Sequence, residues 1–284
     1  MVVTSIPKVS LICFGFCHES VIRLMRLQRY QFAVTCVLLL LPAAAVCAQG
    51  TNYEFRGIPA TIEELDMGFD IKGKWTGQVD LQTVTQGAYL GVNNNPFAYW
   101  QRAHIRPWIQ YHLSKTTLLA ASVSYMKRYA IPPQGNKRGD EVRLTLMANF
   151  TQPKSWGSLY EQVRGEVKNN KSDGSTDWTH TPRVRVRFGQ NIKLKDEHQQ
   201  MLVVYEEMMV KYKEHSKGFD ILRFFGGYSY TKNPKWVFTA GLIVQFQLNK
   251  NNTNVDVYFG PSIAVRYHFG QSKHPQPPPD PDID

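Results

Sequence analysis

The sequence predicts an all-β protein, an antiparallel transmembrane β-barrel of about ten strands, on three observations: side-chain polarity alternates with period two, the alternating runs are long, and the connections alternate between long and short. The clearest run is Phe69, Ile71, Gly73, Trp75, Gly77, Val79 and Leu81, interleaved with Asp70, Lys72, Lys74, Thr76, Gln78, Asp80 and Gln82. Successive side chains of a strand point to opposite faces, so such a segment carries one apolar and one polar face. The alternation returns around residues 97–113, 116–129, 140–152, 156–168, 181–194, 199–212, 219–231, 236–248 and 255–269. Most of these runs exceed the roughly 5–6 residues of an average strand and reach the roughly 9–11 that a tilted strand needs to cross a bilayer.

The connections follow the same logic. Long polar segments hold residues 86–96, 130–139, 169–180, 213–218 and 249–254, and short ones hold 114–115, 153–155, 195–198 and 232–235. Outer-membrane barrels pair long external loops with short periplasmic turns and an even strand number, which puts both ends of the barrel in the periplasm.

An export signal precedes the barrel. Arg23, Arg26 and Arg29 lead into the apolar run of residues 37–45, and Val46-Cys47-Ala48 offers a small-residue cleavage site. Residues 1–48 therefore read as a signal peptide, with Met25 as an alternative start. The run is too short to span a bilayer as a helix, which takes about 20 apolar residues. Cys13, Cys17, Cys36 and Cys47 all lie within the leader, so the exported chain holds no disulfide and needs another source of rigidity, such as a closed hydrogen-bonded sheet. Residues 49–67 read as a periplasmic lead-in with a short helix near residues 62–67, residues 68–270 as the barrel, and the Pro- and Asp-rich residues 271–284 as a disordered tail.

The formal net charge of +10 raises the question of nucleic acid. No finger, helix-turn-helix pattern or clustered basic helix accompanies it, which excludes that partner class. Aromatic residues gather instead near run ends: Tyr99, Tyr125, Tyr129 and Phe246 at one end, and Tyr111, Phe150, Tyr228, Tyr230, Trp236, Tyr267 and Phe269 at the other. Two such belts mark the depths at which amphipathic rings meet lipid headgroups.

The ending Ser262-Ile263-Ala264-Val265-Arg266-Tyr267-His268-Phe269 resembles the terminal-strand signal of outer-membrane barrels, with Ala264 where glycine is usual and a tail beyond the last aromatic. Arg183-Val184-Arg185-Val186-Arg187-Phe188 and the Glu-bearing Val203-Val204-Tyr205-Glu206-Glu207 make residues 66–270 similar to an uncharacterised outer-membrane barrel family common in Bacteroidota, domain of unknown function 2490. That resemblance implies a location, with outer-membrane lipid and the barrel-assembly machinery as partners, and no activity.

With the apolar positions facing out, the alternate positions line the interior: Asp70, Asp80, Arg102, Arg106, Arg143, Arg164, Glu166, Arg183, Arg185, Arg187, Glu207, Arg223 and Arg266. Folding neighbouring runs about their turns sets Asp80 opposite Arg102, Glu166 opposite Arg183, Arg185 opposite Glu207, Arg223 near Glu207, and Asp70 near Arg266 across the closure. Buried charges need such partners. Barrels of about eight strands are filled by side chains and about 16 leave a channel, so this ladder predicts a largely plugged bore. An anion-selective path or ligand cup is the competing reading.

Two sets of residues could supply catalytic parts. His104, His112 and His268 are candidate bases and Ser122, Ser124 and Ser262 candidate nucleophiles, but no spacing selects a pair. Asp173, Asp177, His180, Glu214, His215 and Asp220 are the carboxylates and histidines of the loops, without the fixed spacing of a metal site. No cofactor fingerprint is present. The sequence therefore predicts a non-enzymatic outer-membrane barrel with a structural, binding or limited transport role, and a rim-sited hydrolase as the alternative.

Overall fold

The computed structural model describes residues 54–131, 138–194, 200–213, 216–233, 235–248 and 254–270. The leader, residues 49–53 of the lead-in and the tail beyond Gly270 lie outside them. Eleven strands follow one another: β1 (Glu54–Lys72), β2 (Trp75–Gln86), β3 (Tyr99–His112), β4 (Thr117–Arg128), β5 (Gly139–Lys154), β6 (Gly157–Ser172), β7 (Thr179–Lys193), β8 (Gln200–Lys213), β9 (Ser216–Asn233), β10 (Trp236–Leu248) and β11 (Asn254–Phe269). Each pairs with its sequence neighbours in antiparallel fashion, and β1 closes onto β11 in parallel. An odd number of up-and-down strands can close only through one parallel pair.

The sheet thus has eleven strands and not ten. The extra one is β1, whose residues 54–67 fall where the sequence suggested a lead-in and a short helix. Two features hid it. Phe69 pairs with Gly77 and Asp70 with Thr76, so residues of equal parity face each other across the β1–β2 turn. The register shift between Asp70 and Lys72 and the left-handed Gly73 (φ 62°) absorb the odd residue. Alternation therefore runs unbroken from Phe69 to Leu81 although the chain reverses within it. Further back, Ile58, Pro59, Ala60, Thr61 and Ile62 are buried in succession, which erases the two-residue period.

The odd count also separates the strand ends. One rim, the turn rim, carries the β1–β2, β3–β4, β5–β6, β7–β8 and β9–β10 connections and the end of β11. The opposite, loop rim carries the β2–β3, β4–β5, β6–β7, β8–β9 and β10–β11 connections and the start of β1. The first strand begins and the last one ends on opposite rims, not on the same one. Residues 87–93 fold along the start of β1, where Gly87 donates to the Pro59 carbonyl (2.8 Å) and Leu90 to that of Gly57 (2.9 Å).

Polarity is inverted relative to a water-soluble barrel. Leu81, Ile105, Ile109, Val123, Leu144, Leu146, Val163, Val184, Leu202, Val204, Leu242 and Ile263 are exposed on the outer wall. Nine arginines and seven carboxylates are among the buried residues, and Arg102, Arg143, Arg164, Arg183, Arg185, Arg187 and Arg223 are among the largest fully buried side chains. Side chains lining a water-filled channel would be accessible; these are not.

Candidate functional site in the barrel interior

The interior holds one continuous ionic chain across β5 to β10. Glu141 and Arg143, two residues apart on one face of β5, pair at 2.6 Å. Arg143 also approaches Glu166 of β6 (3.5 Å). Glu166 takes the Arg183 Nε at 2.9 Å and lies 3.4 Å from Arg185 on β7. Arg185 continues to Glu207 of β8 (3.2 Å), which also binds Arg187 (2.7 Å) and Arg223 of β9 (2.8 Å). Arg223 ends the chain by donating from Nε and Nη2 to Gln245 Oε1 of β10 (3.0 and 2.7 Å). Each central carboxylate thus serves three guanidinium groups, the multiple pairing a desolvated charge requires. Tyr205 lies 4.2 Å beneath the Arg187 guanidinium and stacks on Phe225, which adds π-face contact to the same node.

A second node sits at the closure. Arg106 and the Trp108 indole both donate to Asp80 Oδ2 (2.8 and 2.7 Å), and Gln78 donates to Oδ1 (2.5 Å). Arg266 of β11 donates to Asp66 of β1 (2.9 Å), and Gln82 donates to Glu64 (2.9 Å). One oxygen from each of Glu64, Asp66 and Asp80 fits within 4.8 Å, a spacing that could hold a cation. Their oxygens receive donors from two arginines, a tryptophan and two glutamines, and Asp66 Oδ1 is buried without a hydrogen bond. Beside these nodes Ile58, Ala60, Ile62, Val84, Tyr160, Val203, Tyr205, Phe225, Ile243 and Tyr258 form one packed apolar group, and further buried polar residues, Arg102, Arg164, Gln162 and Asn149 among them, line the rest of the interior.

Of the residues singled out by sequence, Glu166 meets Arg183, Arg185 meets Glu207, and Arg223 meets Glu207. Two pairings differ. Asp80 binds Arg106 rather than Arg102, because β2–β3 pairing sets Asp80 beside Arg106 and Val84 beside Arg102. Arg266 binds Asp66 rather than Asp70, because the parallel register matches 66 to 266, and Asp70 instead lies 3.3 Å from His268. Glu64 and Asp66 were missed because their segment read as lead-in. Glu141 was missed as well, although it and Arg143 carry opposite charges at i and i+2 of one run, the signal that could have found it.

The catalytic candidates do not assemble. The Ser122 and Ser124 hydroxyls make no hydrogen bond, and Ser124 faces Arg143 in register. His112 meets the Thr76 hydroxyl (3.1 Å), and His104 and Ser262 are buried in the interior. In the loops His180 meets Asn169 (2.5 Å), Asp220 binds Lys211, and Asp173 and Asp177 are exposed; Glu214 and His215 lie outside the described residues.

The outer wall holds its own exceptions. Glu161 and Glu206 point outward, flanking Phe188 in one cross-strand row that continues to Phe224. The row spacing puts their backbones about 10 Å apart. Two other outward carboxylates have partners: Glu63 is held by the Thr61 and Thr83 hydroxyls (2.8 and 2.7 Å), and Asp140 by the Tyr125 hydroxyl and Lys127 (2.6 and 2.9 Å).

An apolar outer wall around an interior of paired charges defines a closed β-barrel whose charged side chains meet one another inside. The family model described as protein of unknown function (DUF2490) matches residues 64–256, more than half of the chain, and the chain belongs to that family. The match starts within β1 and stops at the beginning of β11, so β2 to β10 lie wholly inside it. No curated protein matches the chain.

Proposed function

We propose that the chain is an integral outer-membrane β-barrel protein of bacteria, of the type found in Bacteroidota, exported through its leader and non-enzymatic. It is porin-like in architecture with a filled, charged bore, and it serves a structural, binding or limited transport role. Outer-membrane lipid and the barrel-assembly machinery are its partners. The inverted polarity carries this reading: exposed leucine, isoleucine and valine around the wall would be costly in water and are favourable against hydrocarbon. The strand lengths of 12–19 residues and the rim aromatics support the same conclusion. The buried ionic chain supports a closed bore, since a conducting lumen keeps its charged lining in water.

The test is fractionation of cells expressing the full chain, followed by bilayer recording. The protein is expected in the outer-membrane fraction, resistant to carbonate extraction and heat-modifiable on gels, with no steady conductance when reconstituted. Recovery as a soluble periplasmic protein would overturn the membrane assignment. A large, steady, anion-selective current would overturn the closed interior.

A further inference from the structure

The turn rim carries a ring of lysines. Lys72 and Lys74 flank the β1–β2 turn, Lys115 lies in the β3–β4 turn, Lys154 precedes the β5–β6 turn, Lys193 ends β7, and Lys232 and Lys235 flank the β9–β10 turn. All are exposed except the half-buried Lys154. The described acid among them, Asp70, faces His268. The loop rim also carries cations, but they are interleaved with acids: Arg56 pairs with Glu54, Lys127 with Asp140, Lys168 with Glu141 and Lys211 with Asp220, and Asp173 and Asp177 are exposed there.

Directly inside the ring runs an aromatic band. Trp75 packs on Tyr111 (4.8 Å), Trp236 on Tyr267 (4.6 Å), and Tyr267 on Phe269 (4.7 Å), with Tyr228 and Phe269 exposed on the outer wall. Amphipathic rings settle at headgroup depth, and a lysine one or two residues further along the strand extends its ammonium into the phosphate layer beyond it. Ammonium groups spread over the whole circumference match a planar layer of anions. They do not converge on a point, as a site for one phosphate would, nor gather on one side, as a protein docking patch would.

We infer that this rim is a docking surface for anionic phospholipid headgroups, which fixes the height and sidedness of the barrel in its bilayer. The inference rests on the membrane reading above and adds the lipid class and the rim that selects it. The attraction is electrostatic, falls off within a Debye length and is weakened by salt.

The experiment reconstitutes the full chain in vesicles of equimolar phosphatidylcholine and phosphatidylglycerol with matched acyl chains, then counts retained lipids by native mass spectrometry. Retained phosphatidylglycerol is expected to exceed phosphatidylcholine several-fold, and high salt is expected to reduce the excess. The combined variant Lys115→Gln, Lys154→Gln, Lys193→Gln and Lys235→Gln should lose it, whereas Lys171→Gln near the loop rim should keep it. Equal retention of both lipids by inserted protein, or an excess that survives the fourfold variant, overturns the inference. Displacement of the excess by an equal concentration of inorganic phosphate would also overturn it, since that indicates a discrete phosphate site. Failure to insert into vesicles of either lipid alone is a different result, and it counts against the membrane reading itself.

Discussion

The antiparallel body of the barrel and its parallel seam solve the same problem in different ways. In the body, Glu166 and Glu207 each hold three arginines drawn from neighbouring strands. At the seam, one pair, Arg266–Asp66, joins residues 200 positions apart, and Asp66 sits within reach of two further carboxylates. The rest of the seam relies on close packing. A Cβ at Gly260 (φ 155°) would run into the Ala60 carbonyl, and the register is interrupted between 59/259 and 62/262, just after Pro59 and across Pro261. The body is an overdetermined ionic lattice, whereas the seam is a steric fit with the Arg266–Asp66 clasp and one Asp70–His268 contact near the turn rim.

That contrast predicts unequal sensitivity. Glu207→Gln leaves Arg185, Arg187 and Arg223 facing one another in a dry interior and should lower stability by about 3–5 kcal/mol. Asp66→Asn also removes a partner, that of Arg266, but it relieves repulsion from Glu64 and Asp80, so its loss should be clearly smaller. Urea unfolding in detergent compares the two directly. Arg187→Gln in the Glu207→Gln background should restore part of the loss. Equal losses for Glu207→Gln and Asp66→Asn, or strict additivity of the double variant, would mean that water screens the body as well.

The outer wall gives a smaller effect of defined sign. Val79→Arg or Leu242→Arg places a charge on the apolar face and should cost about 2–4 kcal/mol near the bilayer midplane. Glu206→Leu does the opposite at an outward carboxylate and should raise stability by up to about 2 kcal/mol, since a lipid-facing Glu costs less than an Arg. Folding titrations into lipid vesicles measure all three. A loss on Glu206→Leu would mean that this carboxylate has a partner on the wall.

The same contrast explains what was legible in the sequence. Register in the body is set by local turns and by alternation, so Glu166–Arg183 and Glu207–Arg223 follow from counting back along neighbouring runs. Asp80–Arg106 was misjudged by four residues because residues 87–98 leave the β2–β3 register unspecified by any tight turn. The seam carries no local signal at all. Its partners are remote, residues 58–62 are buried on both faces, and parity is preserved through the Gly73 turn, so β1 could be neither delimited nor paired from sequence. The interior site was read where charge and alternation coincide, with Glu141 overlooked beside Arg143, and was unreadable at Glu64 and Asp66, which lie on the missed strand.

The central claim is an eleven-strand barrel closed by a parallel seam across a membrane, and the sidedness of two positions tests it most directly. Glu54 begins β1 at the loop rim, and Lys235 lies in the β9–β10 turn at the turn rim. The only cysteines of the chain precede residue 48, so cysteines introduced singly as Glu54→Cys and Lys235→Cys report alone once the leader is removed. With a membrane-impermeant maleimide, Glu54→Cys should label in intact cells and Lys235→Cys only after lysis. Labelling of both from the same side would contradict the account, because a barrel with an even strand number begins on the rim that carries its short turns.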